Sequence, residues 1–224
     1  MALALFDLDN TLLADDSDYL WGAFLVDLGV VDRDTHAAKN KQFFEDYARG
    51  ILDIQSYLEF QLAVLARYPR STLEQWRHQF IVERIQPIVA PGTPALLQFH
   101  RQRHDTLLII TATNRFVTEP IAALLGVDHL LATEVESTAQ GFTGRSQGIP
   151  CFQGGKVTRL RQWMAENNQT LQGSWFYSDS LNDIPLLEQV DHPRVVDPDP
   201  RFRAMARERG WKIMSLRGKE YPDY

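Results

Sequence analysis

Residues 3–13 read LALFDLDNTLL, an apolar run that delivers two aspartates, Asp7 and Asp9, to its end. A buried carboxylate is expensive and two side by side repel, so a cation or a reaction belongs there. Three further stretches carry compatible groups. TLLIITATN (106–114) ends in Thr111, Ala112, Thr113 and Asn114; GGK (154–156) supplies Lys156; SDSLND (178–183) supplies Asp179, Asn182 and Asp183. Four carboxylates, an ammonium and several hydroxyls, with no His or Cys, form an oxygen-rich set. Such a set suits Mg2+, which takes one or two carboxylates and completes its shell with water and phosphate oxygens. Lys156 then neutralises part of a bound phosphate, and the Thr111 hydroxyl and backbone N–H bond another of its oxygens.

These residues meet only if the elements beneath them are adjacent. Five short, almost continuously apolar runs read as buried parallel strands: 3–8, 106–111, 174–178, 194–197 and 212–216. Helices are expected between them at 93–103, 117–125, 156–167 and 200–209, the last with Asp199 as N-cap and Pro200 at its first position. Alternating strand and helix gives an α/β parallel sheet, whose ligands bind beyond the C-terminal strand ends. Asp7, Thr111 and Asp179 all fall at such ends. Residues 14–88 break the pattern: apolar residues recur there at helical spacing, predicting three or four packed helices, with their aromatic residues as bundle core. Residues 130–150, with Gly141, Gly144, Gly148 and Pro150, read as a hairpin or irregular loop.

The bulk numbers exclude several classes. The chain has 224 residues, 23 of them basic and 29 acidic, for a formal net charge of −6. This acidic balance argues against nucleic acid as the main partner. The one basic run, HRQRH at 100–104, reads as a solvated helix C-terminus. A single cysteine, Cys151, permits no internal disulfide and points to a reducing, cytoplasmic compartment and an inert, buried thiol. The first apolar run stops at Asp7, too short for a secretory signal, and no run approaches the ~20 residues that span a bilayer, so no membrane is expected. The acceptor triplet Asn168-Gln169-Thr170 would go unused in the cytoplasm. Homodimerisation stays open: an exposed helical surface offers a face, and nothing in the pattern demands pairing.

Together, DLDNT, IITAT, GGK and SDSLND resemble the four motifs of the haloacid dehalogenase-like (HAD) superfamily of phosphohydrolases. The helical insertion is similar to the cap of its subfamily IB, which contains phosphoserine phosphatase. Residues 197–211, DPDPRFRAMARERGW, look like bacterial members related to that enzyme and to some histidinol-phosphate phosphatases. The resemblance implies a doubly wound, Rossmann-like core (1–13 and 89–224) and a helical-bundle cap (14–88). It implies an Mg2+-dependent phosphatase that hydrolyses a small phosphomonoester through an aspartyl-phosphate. Asp7 would be the nucleophile and Asp9 the general acid and base. Thr111, Ala112, Lys156 and Asn182 would hold or orient the phosphoryl group. Asp7, Asp179 and the backbone carbonyl of Asp9 would hold the metal, and Asp183 would support its shell or Lys156.

The match departs from the family pattern in the cap. The position of a substrate-binding Glu falls on Asp16, and a gapless match puts the usual carboxylate-binding Arg near Glu59. With no carboxylate clamp, phosphoserine fits poorly, and Asp15, Asp16 and Asp18 favour an amine such as that of histidinol phosphate. The bland alternative for these three is a helix N-terminus, where acids are favoured anyway. A calcium loop is disfavoured because Leu12 stands where that loop needs Gly. Phosphoserine hydrolysis, phosphoryl transfer at the same site and a phosphoacceptor module remain the rival functions.

Overall fold

All four residues of β1 (Leu3–Phe6) are fully buried, and they alternate between two hydrophobic clusters. Ala4 and Phe6 face one cluster with Ile109, while Leu3 and Leu5 face the other with Leu108 and Ile110. A strand covered on both faces must sit at the centre of the sheet. The computed structural model, which describes residues 2–218, puts it there. Residues 219–224, the end of the expected core, lie outside the described residues.

The other strands are β2 (Thr106–Asn114), β3 (His129–Thr138), β4 (Gly141–Gln147), β5 (Trp175–Ser178), β6 (His192–Val196) and β7 (Lys212–Met214). Their order is β4-β3-β2-β1-β5-β6-β7. All neighbours are parallel except β3 and β4. The C-terminal ends of β2, β1 and β5 therefore open side by side.

Four helices follow β1 directly: α1 (Ser17–Asp27), α2 (Arg33–Arg49), α3 (Ile54–Leu62) and α4 (Arg70–Phe80). The Asp16, Asp32 and Asp53 carboxylates cap the first three, each accepting backbone N–H groups that the helix cannot pair. The remaining helices are α5 (Thr93–Gln102), α6 (Arg115–Leu125), α7 (Gly154–Asn167), α8 (Ile184–Leu187) and α9 (Pro200–Glu208). Residues of α5 and α6 join the first cluster and those of α7, α8 and α9 the second, so helices cover both faces of the sheet.

The chain leaves and re-enters the sheet layer at one pinch. Leu13 and Val89 form an isolated antiparallel bridge, with Ala14 N–H donating to Ile88 O at 2.7 Å and Ala90 N–H to Leu12 O at 3.0 Å. Above it, Trp21 of α1 packs edge-on to Phe80 and to Phe116 of α6, with centroids 5.2 and 5.9 Å apart. Arg77 of α4 lies 4.5 Å over the Phe116 ring and donates to its carbonyl at 2.8 Å. The first cluster runs without a break from β1 into α1, α3 and α4.

Three expectations need correction. Residues 129–147 do form a hairpin, but β3 also pairs in parallel with β2 and extends the sheet. Its side chains hid it: only residues 131–133 are buried, so it lacks the continuous apolar run of a strand covered along its length. Next, β2 runs to Asn114 rather than stopping at Thr111, with an irregular register against β3 between Ile110 and Asn114. Thr111–Thr113 are thereby off the regular ladder. Finally, His100 is not solvated. It is fully buried, with Nδ1 2.9 Å from Asp105 and Nε2 2.9 Å from the Tyr177 hydroxyl, and only the rest of the HRQRH run is exposed.

Gly155 allows α7 to begin close under the loop before it. A Cβ at this position would stand 2.1 Å from the Pro150 carbonyl oxygen, a backbone atom that cannot swing aside. Lys156 is the next residue. Gly155→Ala should therefore destabilise the protein by about 1–3 kcal/mol, despite the better helix propensity of Ala. Chemical denaturation against the wild type checks this; equal midpoints would mean that the loop yields freely.

Candidate active site

Lys156 is the centre of the site. Its side chain is 4% exposed, and its Nζ lies 2.8 Å from Asp7 and 2.8 Å from Asp183. Burial alone would lower its pKa, but the charges of Asp183 and Asp7 outweigh burial and raise it, so the ammonium stays charged. Ser178, at the end of β5, donates to Asp183 Oδ2 at 2.7 Å and fixes that carboxylate. Asp183 is thus held between Lys156 and Ser178. Even with Lys156 alongside, Asp7 is driven well above the usual carboxylate range, by burial first and by Asp183 and Asp179 next.

Asp179 is the other uncompensated acid. Thr11 donates to its Oδ1 at 3.1 Å and accepts its backbone N–H at 3.1 Å, which ties the turn after β1 to the end of β5. Burial, then the charge of Asp183, pushes Asp179 up to about 7. Both acids lack a sufficient cation, and their donors are hard oxygens. Among the described residues no three His, Cys, Asp or Glu side chains form a cage of their own. That pattern fits an ion which takes one or two carboxylates and fills its shell with water and phosphate.

Asp9 sits in a wide turn over Leu8–Leu12, closed by Leu13 N–H donating to Leu8 O at 3.0 Å. Asn10 makes the bend at φ 56, a left-handed conformation that Asn tolerates. The Asp9 carboxylate accepts from Ser17 N–H at 2.7 Å and from the Thr113 hydroxyl at 2.8 Å, with the Thr111 hydroxyl at 3.4 Å. It is thus held between the start of α1 and the end of β2.

Asp7, Asp9, Thr111, Ala112, Lys156, Asp179, Asn182 and Asp183 all line one cavity. Asn182 Oδ1 accepts from Gln153 at 2.9 Å. Asp16 lines it too, while its carboxylate caps α1 through Asp18 N–H and Tyr19 N–H, both at 2.9 Å. Burial and then the charge of Asp9 raise the Asp16 pKa well above normal. Two expected residues stay outside. Asp15 is exposed and absent from the cavity lining, and Glu59 is exposed and borders a different cavity in the cap. Helix phase explains the second: Tyr57 and Gln61, four apart, face the site, and Glu59 lies midway between them on the other side of α3.

Asp18, singled out with Asp16, does reach the site, but its partners there were not read from the sequence. Asp18 is 2% exposed; it accepts from the Tyr57 hydroxyl at 2.6 Å and from Asn114 Nδ2 at 3.3 Å, and Gln61 donates to the Tyr57 hydroxyl at 3.1 Å. Phe43, Phe44, Tyr47 and Tyr57, expected as bundle core, instead wall the cavity. The Tyr47 and Ser180 hydroxyls meet at 2.9 Å, so α2 touches the loop after β5. The only usable sequence signal was the polar run Thr113-Asn114, because pairings across 39 or 133 residues leave none. Cys151 behaves as expected: it is buried and unpaired, with its thiol pushed up to about 12 by burial.

Burial, partly offset by the Tyr57 hydrogen bond and reinforced by Asp9, lifts Asp18 from 3.8 to about 7. A raised folded-state pKa contributes stability below the unfolded value that is lost as pH rises through the folded one. Asn cannot titrate. Asp18→Asn should therefore gain on the wild type by on the order of 2 kcal/mol between pH 5 and pH 8. Urea denaturation of both proteins at the two pH values checks this; a pH-independent difference would contradict the shifted pKa.

A family model described as haloacid dehalogenase-like hydrolase matches residues 4–188. A histidinol-phosphatase of Neisseria meningitidis is 41% identical over 219 residues, which cover 96% of this chain and 99% of its own length. A phosphoserine phosphatase of Mycobacterium tuberculosis is 30% identical over 230 residues, covering 96% of this chain and 71% of its own. A solved structure from Bordetella pertussis, of unknown function, superposes with a TM-score of 0.90 at 41% identity, over 96% of this chain and 98% of that one. With the motif residues of the sequence gathered at one sheet edge, this chain belongs to the haloacid dehalogenase-like hydrolase family.

Proposed function

We propose that this protein is a phosphoric monoester hydrolase, dependent on Mg2+, whose substrate carries an amine as histidinol phosphate does. One observation carries the substrate class. Among the described residues, six aspartates line the cavity against a single cation, Lys156, which is already held by Asp7 and Asp183. Asp16 and Asp18 stand on the cap side, where the part of the substrate beyond its phosphate would lie. A substrate carboxylate would find no counter-ion there, which disfavours phosphoserine despite the phosphoserine phosphatase among the relatives. An ammonium would find two acids that burial has left wanting a cation. The name of the Neisseria relative agrees with this reading.

In this reading Asp7 attacks phosphorus. The ester P–O bond breaks as the Asp7–phosphorus bond forms, giving an aspartyl-phosphate and the alcohol. Asp9, steadied by Ser17 N–H and the Thr113 hydroxyl, gives its proton to the departing oxygen. It then takes a proton from the water that cleaves the aspartyl-phosphate. Thr111, Ala112 N–H and Lys156 hold the phosphoryl oxygens, with Asn182 beside them. Asp7, Asp179 and the Asp9 carbonyl would hold Mg2+, which supplies positive charge against the phosphoryl oxygens.

Phosphate release from histidinol phosphate, phosphoserine, sugar phosphates and an aryl phosphate, with Mg2+ and with chelator, tests the function. Metal-dependent release with histidinol phosphate preferred is expected; a preference for phosphoserine would overturn the amine reading. Asp7→Asn should lose at least about 10³-fold in kcat with its melting profile intact. Asp9→Asn should lose about 10²–10⁴-fold on alkyl phosphates and less on the aryl ester, whose leaving group needs no proton. Equal losses on the two esters would remove Asp9 from the role of acid.

A further inference from the structure

The cap wall holds a polar side chain that no group among the described residues engages. Asn40, on α2, is 7% exposed and lines the cavity, and its amide has no hydrogen-bond partner among the described residues. It is not among the fully enclosed unpaired polar atoms, so the amide of this cavity-lining residue keeps some accessible surface. Packing explains only part of this. Asn40 lies close against α1, where a Cβ on Gly22 would stand 3.1 Å from Nδ2. An apolar side chain of similar size would serve a purely steric role without leaving an amide to be desolvated when substrate enters.

The surroundings say what the amide would meet. Phe43 and Tyr57 stand edge-to-face at 5.3 Å on the same wall, and both line the cavity. Gln61 is 5% exposed and spends its Nε2 on the Tyr57 hydroxyl, leaving its carbonyl oxygen as an acceptor. Flat aromatic walls favour a planar group. An amide that can donate and accept matches a ring bearing both a nitrogen acceptor and an N–H donor, as neutral imidazole does. A simple aliphatic amine uses neither feature.

We propose that Asn40 determines specificity by hydrogen-bonding a planar nitrogen heteroaromatic ring on the substrate, the imidazole in the case of histidinol phosphate. The proposal rests on reading this cavity as a phosphomonoester site; it adds ring recognition to the recognition of the amine.

The test measures kcat/KM for three phosphomonoesters: histidinol phosphate, its analogue without the ring, and its analogue without the amine. It compares wild type with Asn40→Leu and Asn40→Asp, each checked by thermal melting. Wild type should prefer histidinol phosphate over the ringless ester. Asn40→Leu should lower that ratio about tenfold or more, chiefly through KM. Asn40→Asp is nearly isosteric, removes the donor and should lower the ratio as well, which keeps the test decisive if the Leu variant does not fold. No ring preference in the wild type overturns the proposal, and so does a ratio that survives in a folded variant. A parallel loss on ringless and ring-bearing esters would mark Asn40 as structural and also overturn it. A wild type indifferent to the amine but selective for the ring, with that selectivity lost in the variants, would sink the amine reading and support Asn40.

Discussion

The buried ammonium of Lys156 between Asp7 and Asp183 is the contact on which the site depends. Removing one partner from a buried ion pair typically destabilises by about 3–5 kcal/mol, because the remaining charge is left without compensation. Here one cation serves two carboxylates, and the three residues come from the end of β1, the start of α7 and the loop after β5. The triad therefore binds three separate chain segments at one sheet edge. It also leaves a deficit: with Lys156 shared, Asp7 and Asp179 remain hard to ionise. That deficit is where a divalent cation and a phosphate would act together, the ion neutralising the acids and the phosphate completing its shell.

The helical insertion is coupled to the same edge. Ser17, the first residue of α1, gives its N–H to Asp9, and Asn114 at the end of β2 reaches Asp18 on α1. A shift of α1 would thus disturb Asp9 and Asp18 together. On the opposite side, Tyr47 meets Ser180. The apolar cluster that runs from the sheet into α1, α3 and α4 makes the region around Trp21 and Phe116 the firm attachment, with the Tyr47 contacts to Ser180 and Phe152 the weaker one.

What could be read from the sequence follows from the range of the interactions. The strands β1, β2 and β5 announce themselves because burial on both faces writes a nearly continuous apolar run, and β6 and β7 carry shorter ones. The strand β3, buried only at residues 131–133 and mostly polar beyond, does not announce itself. Asp7, Lys156 and Asp179 were legible because their chemistry makes sense only jointly, and the order of motifs on strand ends brings them together. Tyr57, Gln61 and Asn40 were not. Each is an ordinary polar residue on a helix, and its meaning arises from packing between helices whose relative rotation no local pattern records. Glu59 shows the same limit from the other side, since counting residues along the chain put it at the site while the phase of α3 turned it away.

Chemistry and selectivity are therefore divided between two kinds of structure. Residues on strand ends and in the turn after β1 are fixed by the sheet register, and their side chains bear on groups common to any phosphomonoester. Residues on α1, α2 and α3 face what varies between esters, and helix packing can be altered there without moving a strand. The charge balance links the two. Six carboxylates and one ammonium cannot accept a phosphate dianion unless positive charge comes with it. A metal ion can balance the sheet edge, but the acids on the cap side lie beyond the phosphate. In the proposed reading a substrate ammonium balances them where protonation does not, so the same field that disfavours an anionic substituent favours a cationic one.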